Sequence, residues 1–319
     1  MKDKIVILMA TYNGEKYVSA QIKSILEQTY NNFDLIIRDD GSTDKTISII
    51  KSIIERNDKK NIYLLKNKSS KHGQLKNFAN LFNYAKDKYK YIMFSDQDDI
   101  WYKNKIQISL DAIKKKGDTP TSIYTNYINW NMKDKTKNIA YSYIPECTFE
   151  RLFVQNWTMG CTYLLNKGMI KQIENIPDGV DNHDYWIALV SSLNNNIEYL
   201  PQVTMEHRLH ANNVTGRENS KSFKNRAIRL YTELINRSGR NKVYKRWCKI
   251  YFYLNNRYKN KSIVNLSQVL FSSNLKSIYL SYSHYKYDYK AVTKKYDFVF
   301  RLYLLFKSQR KMEMLRKEK

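Results

Sequence analysis

Three aspartates fall within four residues of the chain, at Asp96, Asp98 and Asp99. Carboxylates so close together repel one another unless solvent or a cation compensates their charge. Oxygen ligands of this kind suit Mg²⁺ or Mn²⁺, which bridge carboxylates and the oxygens of a diphosphate. The segment follows an apolar run and precedes the aromatic pair Trp101 and Tyr102. This context favours a metal site over a solvated acidic loop.

Strands and helices alternate over the first hundred residues and must position these carboxylates. Short apolar runs occur at residues 5–9, 35–37, 62–65 and 91–94, and each is followed by apolar residues at helical spacing. Alternation of this kind predicts an α/β fold with a mainly parallel central sheet flanked by helices.

Polar residues and glycines collect in the connections that follow these strands. Such connections lie at the carboxyl edge of a parallel sheet, where open α/β sheets bind ligands. The residues in question are Thr11, Asn13, Gly14, Asp39, Asp40, Gly41, Ser42, Gly73, Gln74 and Asn77. Neither a G-x-G-x-x-G nor a G-x-x-x-x-G-K-[ST] motif occurs, which argues against a dinucleotide site and a P-loop.

The charge of the chain is uneven. The net charge of the whole chain is +25. Residues 221–319 contain 25 Lys and Arg but only five Asp and Glu, so most of this positive charge lies in the C-terminal part of the chain. We therefore predict a catalytic domain over 1–220 and a basic, aromatic-rich helical C-terminal region over 221–319. The basic region suits an anionic membrane surface, and a helical cap folded onto the catalytic domain is the alternative. No nucleic-acid-binding motif accompanies the charge. No apolar run is long enough for a spanning helix, and the N-terminus shows no signal-peptide pattern.

Four segments together resemble the family 2 glycosyltransferases with a GT-A fold. They are residues 9–14 (MATYNG), 25–30 (ILEQTY), 37–44 (IRDDGSTD) and 95–101 (SDQDDIW), with a further set within 157–216. The last of the four is most similar to the rhamnosyltransferase-like branch that builds bacterial surface polysaccharides. The resemblance divides the catalytic domain into a nucleotide-binding half, 1–110, and an acceptor-binding half, 111–220.

The resemblance implies a role for each matching position. Residues expected to bind the nucleotide or donor are Thr11, Tyr12, Asn13, Glu15, Asp40, Asn77, Asp96 and Asp98. Asp98 would hold the Mg²⁺ or Mn²⁺ directly, Asp96 would hold the ribose or a water on the metal, and His210 would ligate metal or touch the diphosphate.

On the acceptor side, residues 183–186 (HDYW) resemble the family's H-D-W-W motif, with Tyr185 in place of the first tryptophan. The match makes Asp184 the general base, with Asp181 as the nearest competitor. Side chains expected near the acceptor or sugar are Asp99, Trp101, Trp157, His183 and Trp186.

These assignments predict an inverting glycosyltransferase of cell-surface polysaccharide synthesis. The expected donor is dTDP-rhamnose or a UDP-hexose, and the expected acceptor is a polyprenyl-linked saccharide. The expected location is the cytoplasmic face of the cell membrane, as a peripheral protein. The alternatives are a catalytically silent scaffold, a metal-dependent phosphohydrolase, and a protein that binds nucleic acid or an anionic membrane through its basic tail.

Overall fold

The computed structural model describes residues 3–57, 61–67, 72–210 and 237–271. The chain forms two compact units. The sheet unit comprises Met1–Pro145 and Thr158–Arg217, and the helical unit comprises Glu146–Trp157 and Glu218–Lys319. The division after residue 217 lies close to the expected boundary at 220, whereas the assignment of residues 146–157 to the helical unit was not anticipated.

A nine-stranded sheet forms the centre of the sheet unit, in the order β3-β2-β1-β4-β8-β6-β9-β5, with β7 paired to β6. Its strands are β1 (Ile5–Thr11), β2 (Phe33–Asp39), β3 (Ile62–Leu65), β4 (Tyr91–Ser95), β5 (Ile100–Trp101), β6 (Ser122–Asn131), β7 (Thr136–Ile139), β8 (Tyr163–Asn166) and β9 (Ile197–Leu209). The first four strands are mutually parallel, as predicted. Antiparallel pairs join β8, β5 and β7 to the rest.

Seven of the described helices lie between strands, and two follow β9. In chain order they are α1 (Val18–Leu26), α2 (Thr46–Glu55), α3 (Gln74–Ala85), α4 (Lys105–Lys114), α5 (Phe149–Val154), α6 (Lys167–Ile173), α7 (His183–Ser192), α8 (Arg237–Asn255) and α9 (Lys261–Phe271). Those of the sheet unit bury an apolar face, as Val18, Ile22 and Ile25 do on α1. Residues three or four apart share one side of a helix, so this spacing produces a face that covers the sheet.

The core of the sheet unit centres on β1, β2 and β4. Ile5 to Met9 of β1 have no exposed surface, and β2 and β4 are buried throughout. Full burial of one such aliphatic side chain contributes about 1.5–3 kcal/mol. The apolar runs therefore fix the strands, and the polar residues that follow each run lie at one sheet edge.

The helical unit contains α5, α8 and α9. Within it, Phe153 and Trp247 have ring centroids 6.2 Å apart, and Tyr251 packs edge-on against Phe271. Among the described helices of the chain, none combines the length and the apolar character needed to cross a membrane. The patterns at 223–234 and 298–306 that suggested interfacial helices lie outside the described residues.

Candidate active site

The connections after β1 and β2 are joined by hydrogen bonds at the carboxyl edge of the sheet. The Thr11 hydroxyl donates to Asp39 Oδ2 at 2.8 Å, and the backbone N–H of Asp40 donates to the Thr11 carbonyl at 2.8 Å. Asp39 also accepts the N–H groups of Gly41 and Ser42. Asp39 therefore fixes the conformation of the turn. Thr11 was expected to contact the nucleotide, but its side chain is only 2% exposed and its hydroxyl is bonded to Asp39.

Asn13 and Glu15 connect the same two loops. Asn13 Oδ1 accepts the N–H of Thr43 at 2.9 Å, and Glu15 Oε2 accepts the N–H of Lys45 at 3.0 Å. Asn13 has a φ of 47°, a left-handed conformation that asparagine tolerates better than most residues. Both residues lie at the expected sheet edge, and their side-chain oxygens accept hydrogen bonds from the backbone of the loop after β2.

Tyr12, one of the expected nucleotide residues, is 55% exposed. Its backbone is clamped by Gln97, which accepts from the Tyr12 N–H and donates to the Tyr12 carbonyl, both at 2.9 Å. A Cβ on Gly14 would overlap the end of the Gln97 side chain, so a larger residue at this position would force Gln97 to shift. The acidic loop and the first loop are thereby held in register.

The side chains of Asp40 and Asn77 both interact with groups of the protein itself. Asp40 Oδ2 accepts the Gly73 N–H at 2.6 Å, and its other oxygen is 3.8 Å from Arg38 Nη1. Asn77 accepts from Arg38 Nη1 at 2.7 Å and donates to the Arg38 carbonyl at 2.8 Å. Asn77 is 1% exposed, and both polar atoms of its side chain are hydrogen-bonded to Arg38. Asn77 therefore positions Arg38, and the expectation that it contacts the sugar donor is corrected.

The three carboxylates after β4 crowd together. Burial, reinforced by the charges of Asp99 and Asp98, raises the pKa of Asp96 to about 8. Asp99 has no exposed surface, and one ligand atom each of Asp96, Asp99 and Cys161 lies within 4.8 Å of the others. The raised pKa of Asp96 shows that the neighbouring groups do not fully compensate the negative charge of the three carboxylates.

The end of β9 lies over these carboxylates. His207 Nδ1 is 2.8 Å from Asp99 Oδ1, and His210 Nε2 is 3.0 Å from Asp98 Oδ2. Burial acts to lower the pKa of His207, but the charge and hydrogen bond of Asp99 outweigh it and raise the pKa to about 9. The Asp99 carboxylate therefore favours the protonated form of the His207 imidazole, which would offset part of the acidic charge.

These residues fit a divalent cation. Asp98 and His210 bring a carboxylate oxygen and an imidazole nitrogen side by side, and the raised pKa of Asp96 shows charge that a cation would relieve. Mg²⁺ and Mn²⁺ prefer oxygen ligands, with imidazole acceptable to Mn²⁺, whereas the thiol of Cys161 is a soft ligand. The expected set of Asp96, Asp98 and His210 suits these ions better than the set containing Cys161.

Asp184 lies in the first turn of α7 and accepts a hydrogen bond from the backbone N–H of Gly160, the residue before Cys161 of the same cluster. Burial raises the pKa of Asp184 to about 6, although the backbone N–H groups of Tyr185 and Gly160 act to lower it. Its negative charge contributes to the raised pKa of Asp96. The fold thus brings an aspartate with a pKa close to neutrality to the carboxylate loop, 88 positions away in sequence.

Several residues expected to contact the acceptor or sugar are instead buried. Exposure is 0% for Asp99 and Trp186, 2% for Trp101 and 4% for His183. His183 stacks on Phe78 with centroids 3.9 Å apart. These four side chains support the site from the core, which corrects the expectation of direct contact. Trp157 belongs to the helical unit.

Three residues that sequence reasoning did not single out belong to the site. They are Gln97, His207 and Lys105. Lys105 has no exposed surface and donates to Thr204 Oγ1 at 3.0 Å. Lys105 precedes Ser109 by four residues and Ile113 by eight, so all three lie on the same buried face of α4. This helical spacing could have predicted from the sequence that Lys105 is buried. His207 gave no comparable signal.

Comparison with known proteins connects this geometry to a family. Residues 6–175 match the family described as Glycosyl transferase family 2. The chain is 31% identical over 231 residues to the dTDP-rhamnosyl transferase RfbG of Shigella flexneri, covering 70% of this chain and 78% of that protein. It is 30% identical over 200 residues to the UDP-Glc:alpha-D-GlcNAc-diphosphoundecaprenol beta-1,3-glucosyltransferase WfgD of Escherichia coli, covering 62% and 73%.

Solved structures share the fold at low sequence identity. TarS 1-349 of S. aureus, in complex with UDP-GlcNAc, gives a TM-score of 0.58 at 15% identity, covering 99% of this chain and 92% of that one. The mannosyltransferase PcManGT of Pyrobaculum calidifontis, in complex with GDP-Man and Mn2+, gives 0.54 at 12% identity, covering 96% and 86%. The predicted GT-A architecture is confirmed.

Proposed function

Because the chain belongs to glycosyl transferase family 2 and resembles its rhamnosyltransferase-like branch, we propose that it transfers L-rhamnose or a hexose with inversion at the anomeric carbon. The donor is dTDP-rhamnose or a UDP-hexose. The acceptor is a saccharide carried on a polyprenyl diphosphate. The product is an intermediate of cell-surface polysaccharide synthesis.

One observation carries the proposal: Asp184 and the carboxylate loop belong to the same electrostatic site. The backbone N–H of Gly160 hydrogen-bonds to Asp184, and the ligand atom of the next residue, Cys161, lies within 4.8 Å of those of Asp96 and Asp99, so donor-side and acceptor-side groups lie close together. A general base works best with a pKa near the operating pH, and burial raises that of Asp184 to about 6.

The reaction assigned to Asp184 is a single displacement. Its carboxylate takes the proton of the acceptor hydroxyl while that oxygen forms a bond to the anomeric carbon. The bond from the anomeric carbon to the diphosphate breaks on the opposite side, and its electron pair leaves with the diphosphate oxygen. Attack opposite to the leaving group inverts the anomeric carbon.

Charge on the leaving diphosphate requires compensation. Asp98 and His210, with Asp96 beside them, would hold Mg²⁺ or Mn²⁺, and a bound cation of this kind neutralises developing negative charge. Arg208 lies near the same loop, with Nη2 3.4 Å from the Asp99 carbonyl oxygen, and adds positive charge.

Donor and acceptor classes are supported by the relatives. RfbG is a dTDP-rhamnosyl transferase, and WfgD is described as acting on alpha-D-GlcNAc-diphosphoundecaprenol. A lipid-linked acceptor of that kind suits a peripheral protein at the cytoplasmic face of the cell membrane. The basic composition of residues 221–319 supports attraction to an anionic leaflet.

The experiment that tests the proposal incubates the protein with dTDP-rhamnose or UDP-glucose, a GlcNAc-diphospho-lipid acceptor and Mn²⁺. The expected product carries one added sugar with the anomeric configuration opposite to that of the donor, as read by NMR. Steady release of free phosphate from the donor, without transfer of sugar to the acceptor, would favour the phosphohydrolase alternative. Transfer with retained configuration would refute the inverting mechanism.

A further inference from the structure

A buried ion pair lies beneath the proposed cation ligands. Asp99 Oδ1 and His207 Nδ1 are 2.8 Å apart, with side-chain exposures of 0% and 7%. Lys105, also without exposed surface, adds positive charge near Asp99. Asp99 Oδ1 is therefore held by His207, whereas Asp99 Oδ2 is buried beside Asp96 and Cys161 without a hydrogen-bond partner among the described residues.

The pair ties two segments that are adjacent in space and distant in sequence. β5, which follows Asp99 directly, pairs antiparallel with β9 through Ile100 and Glu206. His207 is the next residue of β9, so the ion pair extends this ladder by one step. Arg208 Nη2 also reaches the Asp99 carbonyl, at 3.4 Å.

The anchored segment ends at the cation site. Only two residues separate His207 from His210, whose Nε2 is 3.0 Å from Asp98 Oδ2. Tyr17 stacks on a face of the same imidazole, with ring centroids 4.5 Å apart. Because the chain between the histidines is so short, the position of His207 limits where His210 can lie.

We propose that Asp99 and His207 are positioning residues, a buried pair that fixes the end of β9 and thereby holds His210 beside Asp98 in the nucleotide-diphosphate site. Asp99 is then neither a cation ligand nor a contact of the sugar. The inference rests on the proposed function for the identity of the ligand. The rival assignment makes Asp99 a ligand together with Asp96 and Cys161, whose ligand atoms are grouped with it.

A neutral replacement pair separates the two assignments. Either single variant, Asp99→Asn or His207→Asn, can keep a hydrogen bond between the two positions but removes one charge of the pair, so the remaining buried charge loses its main partner. The double variant removes both charges, and the asparagine amide at 207 occupies the place of Nδ1 and donates to the asparagine oxygen at 99. An anchor tolerates this exchange, whereas a ligand carboxylate does not. Glu206→Gln, one residue away on the same strand, is the matched control.

The measurement is the Kd of UDP and of dTDP with Mn²⁺ by calorimetry. We expect each single variant to bind about 10- to 100-fold more weakly, the usual cost of losing an outer partner of a metal ligand. We expect the double variant and the control to bind within a few-fold of wild type. A double variant as weak as Asp99→Asn, or one that does not fold, overturns the proposal.

A second readout does not depend on nucleotide. The chain contains five histidines, so the imidazole NMR signals of His-labelled, metal-free protein are few, and His210→Gln assigns the one of interest. We expect that signal to shift in His207→Asn and to stay in place in Glu206→Gln. An unchanged signal in His207→Asn contradicts the positioning role. If wild type binds neither nucleotide, the proposed function fails, and this readout still tests the pair.

Discussion

Gly160 lies against His183 so closely that a Cβ at position 160 would be 2.8 Å from His183 Cε1 and closer still to Nε2. The backbone N–H of the same glycine acts on the base candidate Asp184 and lowers its pKa. The His183 imidazole stacks on Phe78, and neither of its nitrogens has a hydrogen-bond partner among the described residues. His183 is therefore held by van der Waals packing alone, and this packing fixes the position of the first residue of α7.

Gly160→Ala is expected to destabilise the fold and to impair catalysis together. An added methyl group in a filled core costs about 1–3 kcal/mol, and here it displaces the residue before Asp184. Chemical denaturation and kcat measure the two effects. The double variant Gly160→Ala/His183→Ala removes the obstructing ring and should recover part of the loss in kcat. Equal kcat in both variants would show that the contact does not position the base.

Asp184→Asn should lower kcat by about 10²–10⁴-fold, because general-base catalysis contributes on that order. Donor binding should change little, since Asp184 makes the smallest of the charge contributions to the pKa of Asp96 and the substitution leaves Asp98 and His210 in place. Asp181→Asn, the competing carboxylate, is the control and should retain most activity. The reverse pattern would reassign the base.

The pH dependence of kcat should follow the same group. Burial raises the pKa of Asp184 to about 6, with Asp181 adding to the rise, and the base works only when ionised. Activity should therefore fall as pH drops through about 6 and level off above it. Asp96 also faces this site and is the charge to control, through profiles of Asp96→Asn. An acid limb that persists unchanged in Asp184→Glu would argue against this assignment.

The sequence predicted the fold and the edge of the site better than the use of its side chains. Apolar runs identified β1 to β4 because a buried parallel strand needs continuous apolar residues. The burial of Trp101 and Trp186 was missed, since an aromatic residue beside a loop suits a sugar face and a core equally. The pairing of Asp99 with His207 spans 108 positions and depends on how β9 returns to the sheet, which local patterns do not encode.

Metal dependence is expected at the nucleotide-binding step. Without a cation, the Asp98 carboxylate and the diphosphate repel one another, so EDTA should abolish stabilisation of the fold by UDP or dTDP. Asp98→Asn should lose the Mn²⁺-dependent part of that stabilisation, whereas Glu206→Gln should keep it. Thermal unfolding with each nucleotide, with and without Mn²⁺, measures the effect. Full stabilisation in EDTA would show that His207, Arg208 and other protein cations are sufficient.

Lys105 provides a test of the charge beneath the site. Burial lowers the pKa of its ammonium group to about 8, although Cys161 and Asp99 act to raise it. Between pH 8 and 10.5 the unfolded chain therefore binds more protons than the folded one, and wild-type stability gains from rising pH. Lys105→Met lacks this gain and, with a similar volume, should be about as stable as wild type near pH 7.

The quantity to compare is the difference in unfolding free energy between wild type and Lys105→Met, because shared titrations of other groups cancel in it. This difference should move in favour of wild type by up to about 3 kcal/mol from pH 8 to 10.5, the equivalent of the lowered pKa. Urea denaturation across that range measures it. Lys105→Arg should remain charged throughout and destabilise the fold at every pH. Parallel stability curves for wild type and Lys105→Met would show that Lys105 keeps an ordinary pKa in the folded protein.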